Sequence, residues 1–263
     1  MTYKSKNCIG CPDAKNGCQL TCLKVQPAKK QEKRPIAEVV KEACEIFGKY
    51  EITKGELARA EELRDKLENQ KITVSVIGQF KRGKSTLVNA ILEEKILPVG
   101  IVPVTAVVTT IEYGEKAATV RFDNGIVKEI GFDEMSAYIN EQENSDNHLG
   151  VSEVELYCPS PFLQKGLTCV DTPGVGSVHQ KNSDAAYSYV KESDAVIFML
   201  SVDSPINQIE IDFLQNAKEF ASKFYFAVNK IDTIEEADLA DYLHYCRKLI
   251  CKLMGVDSIQ LFP

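Results

Sequence analysis

The chain has 263 residues, 44% hydrophobic and 26% charged, with ten Pro and 15 Gly. That composition excludes a disordered or low-complexity chain and is enough to close a core without disulfide staples. There is no apolar run of about 18 residues, which argues against a membrane-spanning helix, and a net charge of −7 argues against a general nucleic-acid binder.

The N-terminus departs from this average. Residues 1–34 carry eight Lys or Arg against Asp13 and Glu32, so the remainder holds the acidic excess. The opening MTYKSKNCIG lacks the apolar core of a secretion signal. Four of the nine cysteines, Cys8, Cys11, Cys18 and Cys22, read C-x2-C-x6-C-x3-C. Close Cys pairs with Gly and Pro between them suit metal thiolates in a tight loop. Zn²⁺, an iron–sulfur cluster and unmetallated redox-active thiols all remain open on spacing alone. The other five cysteines are scattered, as buried free thiols in a reducing cytoplasm are.

Residues 1–35 form a Cys-rich basic tail ending in a Pro- and Lys-rich linker, KVQPAKKQEKRP. A helical period follows through Ile36, Val39, Val40, Ala43, Ile46, Phe47 and Tyr50. Thr53 and Glu56 have capping-box spacing, and a second amphipathic helix runs through Leu57, Ala60, Leu63 and Leu67. Residues 36–70 are therefore a helical arm, packed on its own domain or contributing half of a bundle.

From residue 71 the pattern is α/β. ITVSVIG (72–78) is a buried parallel strand by its continuous apolar run, and residues 84–93 are helical. Strands are expected at 106–113, 117–123, 126–130, 151–158, 166–171, 194–203, 223–230 and 258–262. Helices are expected at 183–192, 207–220 and 234–254, with 132–150 helical at first and then loop. Such alternation predicts a mostly parallel sheet covered on both faces.

Three motifs sit at strand ends in this region. Gly78-Gln79-Phe80-Lys81-Arg82-Gly83-Lys84-Ser85 fits G-x4-G-K-[ST] between a strand and a helix. Its N–H groups cradle phosphate, Lys84 adds charge at the outer phosphates and the Ser85 hydroxyl can ligate Mg²⁺. Gln79, Phe80, Lys81, Arg82, Gly83 and Thr86 complete the loop and the first helical turn. Asp171-Thr172-Pro173-Gly174 ends a strand, where Asp171 can hold Mg²⁺ and the Gly174 N–H can meet a γ-phosphate. Asn229-Lys230-Ile231-Asp232 ends another. There a carboxylate on Asp232 can accept guanine N1–H and N2–H, Lys230 can lie along the base, and Asn229 can tie the two loops together. Together they predict GTP and GDP as ligands. Thr105, in LPVGIVPVTAVV, is the candidate switch threonine for Mg²⁺ and γ-phosphate.

GQFKRGKSTLVNAIL, LPVGIVPVT, DTPGVGS and NKID resemble the GTPase domain of the dynamin superfamily, bacterial dynamin-like proteins especially, across roughly residues 36–263. Pro98, Gly100, Pro103 and Thr105 match its switch I pattern. The resemblance implies a three-layer P-loop GTPase fold over residues 71–263, behind the helical arm and the Cys-rich tail. It also implies Mg²⁺-dependent GTP hydrolysis stimulated by homodimerisation of GTPase domains, coupled to membrane remodelling. A cytoplasmic protein peripheral to the inner face of the cell membrane is expected. The place matching Lys81 holds an arginine finger in atlastins and guanylate-binding proteins, so Lys81 or Arg82 is the candidate catalytic cation beside Thr105. The Gln that orients water in Ras-like enzymes is replaced by Val175. The family's next loop, closing helix, stalk and lipid-binding tip would follow Pro263, so the chain reads as the front part of a longer protein. Two rival readings remain: a Ras-like regulatory GTPase of ribosome or tRNA maturation using the basic tail, and a GTP-gated scaffold with little turnover.

Overall fold

The computed structural model describes residues 34–50, 54–69, 71–100, 107–175 and 180–263. The chain divides into two units, residues 1–64 and 65–263. In the first, α1 (Ile36–Phe47) follows Pro35, carries Glu38 in its first turn and ends where the Gly48 N–H bonds the Cys44 carbonyl. Its apolar residues recur three and four apart, which draws one stripe along the helix. The second helix, α2 (Lys54–Asn69), contains the boundary between units. Thr53 of the expected capping box lies outside the described residues.

The second unit is built on one sheet. In chain order it contains β1 (Ile72–Gly78), α3 (Lys84–Leu92), β2 (Val108–Tyr113), β3 (Ala117–Phe122), β4 (Val127–Ile130) and the single turn α4 (Ser136–Ile139). Then come β5 (Val151–Cys158), β6 (Leu167–Asp171), α5 (Gln180–Glu192), β7 (Ala195–Ser201), α6 (Gln208–Asn216), β8 (Phe224–Asn229), α7 (Glu236–Met254) and β9 (Gln260–Phe262). The strand order is β4-β3-β5-β2-β6-β1-β7-β8-β9. Pairing is parallel from β6 through β1, β7 and β8 to β9, and between β2 and β5. It is antiparallel where β2 meets β6 and where β3 meets β4 and β5.

Alternation in β1 divides the interior into two cores. Val76 joins Val88 and Leu92 of α3 with Ile139 and Leu156 on one face. Ile77 joins Val190 of α5, Leu214 of α6 and Ile250 of α7 on the other. The result is helices on both faces of a mostly parallel sheet, the three-layer α/β architecture expected.

Two segments are less regular than their sequence pattern. The stretch 132–150 keeps only α4 and a tight turn at Ser145–Asn147, with Asp146 and Asn147 at positive φ. The Asn144 side chain bonds the Tyr138 carbonyl and the Leu149 N–H, while Asn147 bonds both backbone groups of Val151, so local side chains replace helical bonds. The expected helix 207–220 ends at Asn216 and continues as a 3₁₀ segment, Lys218–Lys223, with Phe220 outside helical geometry. No helix among the described residues is long and apolar enough to cross a membrane.

Candidate functional site

The three motif loops meet at the carboxyl ends of the central strands, the usual ligand edge of such a sheet. Register sets this: Val76 of β1 pairs with Asp171 of β6, Gly78 with Met199 of β7, and Ser201 of β7 with Asn229 of β8.

The loop from Gly78 to Ser85 turns on two left-handed residues, Lys81 at φ 67° and Gly83 at φ 95°. A Cβ on Gly83 would stand 2.1 Å from Asn229 Nδ2, so glycine is required there by both conformation and space. Asn229 Nδ2 donates to the Arg82 carbonyl at 3.0 Å, and its Oδ1 accepts the Lys230 N–H at 2.8 Å. Asn229 thus ties the loop after β8 to the loop after β1.

Lys84 opens α3 and folds back to donate to the Gln79 carbonyl at 3.3 Å. Burial pushes its pKa down, opposed by the carboxylates of Asp171 and Glu210. Beside it, Ser85 Oγ donates to Asp171 Oδ2 at 2.7 Å, and Asp171 is fully buried. Thr172 bonds the Val76 carbonyl at 2.9 Å, which fixes the turn after β6. The next glycine, Gly174, approaches the phosphate loop so closely that a Cβ would lie 2.8 Å from the Phe80 nitrogen. Val175 donates to the Gly78 carbonyl and is wholly buried in the core. Its side chain faces away from solvent, at the place where a water-orienting Gln would otherwise stand.

The two candidate cations separate. Lys81 is exposed, its Nζ 5.3 Å from the Phe80 ring centroid. Arg82 is only 2% exposed, and every guanidinium nitrogen donates inward. Nε and Nη2 reach the Glu210 carboxylate at 3.0 and 2.7 Å. Nη1 reaches the Ser201 carbonyl and Oγ and the Ser204 carbonyl, and Nη2 also reaches the Pro205 carbonyl. The expectation that Arg82 offers a finger to phosphate is corrected on this point: its donors are engaged inside the fold.

Glu210 and its neighbour Asn207 were not singled out in the sequence, although N-x-x-E before an apolar run is a capping-box pattern. Here it is formed. Asn207 Oδ1 accepts the Glu210 N–H, and Glu210 Oε2 accepts the Asn207 N–H, each at 3.1 Å. Asn207 Nδ2 also donates to Gln79 Oε1 at 2.5 Å, so Gln79 is turned towards α6.

Lys230, left-handed at φ 61°, places its Nζ 2.5 Å from Asp203 Oδ2. Burial raises the Asp203 pKa, but bonds from Lys230 and Ser201 outweigh it and hold the carboxyl below the usual carboxylate range. Asp232 is exposed in the short turn that follows. Thr86 is exposed on the first turn of α3. Thr109, paired in register with Asp171, carries a buried hydroxyl with no hydrogen-bond partner among the described residues.

Thr105 lies outside the described residues, as do Cys8, Cys11, Cys18 and Cys22. Among the described residues no three His, Cys, Asp or Glu side chains are grouped to hold a metal. Ser85 and Asp171 present hard oxygen donors side by side, and that donor chemistry fits Mg²⁺.

Comparison with known proteins agrees with this geometry. The model of the Dynamin family matches residues 74–232. An uncharacterised protein from the xynA 3′ region of Caldicellulosiruptor sp. (strain Rt8B.4) is 39% identical over 202 residues, 76% of this chain and 50% of that protein. The bacterial dynamin-like protein of Nostoc punctiforme is 32% identical over 174 residues, 62% of this chain and 25% of the relative. A solved structure of an oligomerised bacterial dynamin pair, described as providing a mechanism for long-range sensing and tethering of membranes, superposes with a TM-score of 0.61 at 18% identity. It covers 87% of this chain and 36% of that one, and it speaks to the fold. This chain spans half or less of the length of these relatives.

Proposed function

The chain belongs to the dynamin family, and from that premise we propose that it binds GTP with Mg²⁺ and hydrolyses it to GDP and phosphate when two GTPase domains pair. The observation that carries the reading is the Ser85–Asp171 bond beside Lys84, a phosphate loop and an acidic strand end brought to 2.7 Å. The loop N–H groups and Lys84 bind and orient the β- and γ-phosphates. Ser85 and Asp171, with Thr105 from its own segment, would hold Mg²⁺. Once bound, the ion neutralises charge developing on the phosphate oxygens. Gly174 lets its backbone come up against the phosphate loop without a Cβ, which leaves its N–H available to a γ-phosphate. Asp232 accepts the two N–H groups of guanine, while Asn229 holds Lys230 and the phosphate loop in register.

Lys81 is an exposed cation of the phosphate loop. It needs no unfolding of the core to swing onto phosphate, because it is exposed, with its Nζ over the Phe80 ring. A partner domain ordering this loop would supply the stimulus. Membrane work, a cytoplasmic location at the inner face of the membrane, and contact with lipid belong to the same proposal, carried by segments that the longer relatives have.

The test is the GTPase rate per molecule against protein concentration. A rate that climbs supports paired domains, and a rate flat across the range rejects them. A flat and low rate with firm GTP binding would favour the second reading, a GTP-gated scaffold. The buried Val175 supports that alternative, since it cannot orient water.

A further inference from the structure

The buried Arg82 has a consequence for how the site works. The phosphate loop is fastened from beneath at two of its variable positions, both to the start of α6. Arg82 crosses to Glu210, to the carbonyl of Ser201 at the end of β7 and to those of Ser204 and Pro205 between β7 and α6. Gln79 accepts from Asn207, the residue that caps α6. Between these anchors Lys81 adopts a left-handed backbone, which sends its side chain outward and that of Arg82 inward.

Glu210 is shared by both fastenings. One carboxylate closes the capping box on the Asn207 N–H and neutralises Arg82, and it is fully buried. A charge so placed has no solvent to fall back on, so loss of either partner must be answered by movement of the loop or of α6.

We infer that Arg82 is a positioning residue that pins the phosphate loop in its binding shape, with Glu210 and Asn207 as the other half of the device. α6 is then part of the nucleotide site through its N-terminal end. The inference rests on the reading of residues 78–85 as the phosphate cradle, and its test separates the two.

GTP and guanosine are titrated separately against wild type, Glu210→Gln, Arg82→Lys and Asn207→Ser, with kcat at saturating GTP and thermal midpoints measured alongside. Asn207→Ser keeps the helix cap but is too short to reach Gln79, so it serves where a change in the buried pair prevents folding. Wild type should bind GTP far more tightly than guanosine. Glu210→Gln and Arg82→Lys should lose GTP affinity by about ten- to a hundredfold, the scale of a charged hydrogen bond. Asn207→Ser should lose about threefold to tenfold, the scale of a neutral one. Guanosine affinity should stay close to wild type in all three. Equal losses for GTP and guanosine would make the pair merely structural and overturn the inference. A fall in kcat at unchanged GTP affinity would make Arg82 a direct phosphate contact and overturn it too, as would unchanged GTP affinity throughout. A wild type that binds GTP no better than guanosine would overturn the cradle reading itself.

Discussion

The guanidinium of Arg82 and the carboxylate of Glu210 meet edge to edge, Nε to Oε1 at 3.0 Å and Nη2 to Oε2 at 2.7 Å, with 2% and 0% of the two side chains exposed. The residues are 128 positions apart and join the phosphate loop to the first turn of α6. A buried pair of this kind is costly to break and less costly to replace as a whole. Glu210→Ala leaves an uncompensated cation in the core and should lower unfolding free energy by about 3–5 kcal/mol. The double variant Arg82→Met/Glu210→Met should recover much of that loss in urea unfolding, while GTP binding stays impaired. A double variant no more stable than Glu210→Ala would show that packing around the pair, not its charge, is what matters.

Lys84 should show a trade between stability and binding. Burial lowers its pKa from the ordinary 10.5, so the folded protein resists the charged form. The sign follows from linkage: between the lowered pKa and 10.5 the unfolded chain binds more protons, so stability rises with pH across that window. The penalty is fully present below the lowered value and is gone above 10.5. Lys84→Met should therefore remove GTP binding while making the nucleotide-free protein more stable at pH 7, with the gain fading as pH approaches 10.5. Thermal midpoints at several pH values, without nucleotide, measure this directly. A less stable Lys84→Met at pH 7 would contradict it.

Lys81 differs from both. Being exposed on the phosphate loop, it can be truncated without disturbing the core. Lys81→Ala should leave GTP affinity near wild type and lower turnover by about tenfold or more under conditions that pair the domains, less than loss of a planar arginine finger would cost. Turnover unchanged at high protein concentration would end the case for a cationic finger in cis.

Asp232 should set the choice of base. Its carboxylate is exposed in the turn after β8, where it can accept both guanine N–H groups. Asp232→Asn replaces one acceptor by a donor and should weaken GTP by about a hundredfold, since the mismatch forfeits a charged hydrogen bond. The same amide can donate to the extra carbonyl of xanthine, so xanthosine triphosphate should gain. Competition between the two nucleotides reads this out, and equal losses for both would place the base elsewhere.

Much of this arrangement is legible before any coordinates. The runs ITVSVIG and VSEVELYC become β1 and β5 with those same bounds, because continuous or alternating apolar runs admit only one burial. The tie from Asn229 to the phosphate loop follows from motif spacing alone. The inward course of Arg82 is not legible in the sequence, because an Arg between Lys81 and Gly83 looks like any loop cation. Only the positive φ of Lys81 turns it inward, and its partner is remote in sequence. The loop 140–150 also escaped detail, since two asparagines, Asn144 and Asn147, competing for backbone groups leave no periodic signal.

β1, like β7, belongs to both interiors, because neighbouring residues, Val76 and Ile77, enter opposite cores, and the phosphate loop is its direct continuation. In mechanical language the loop is a short cantilever rooted in a strand packed from both sides. A substitution that shifts either core should therefore reach the root of the phosphate loop through this one strand.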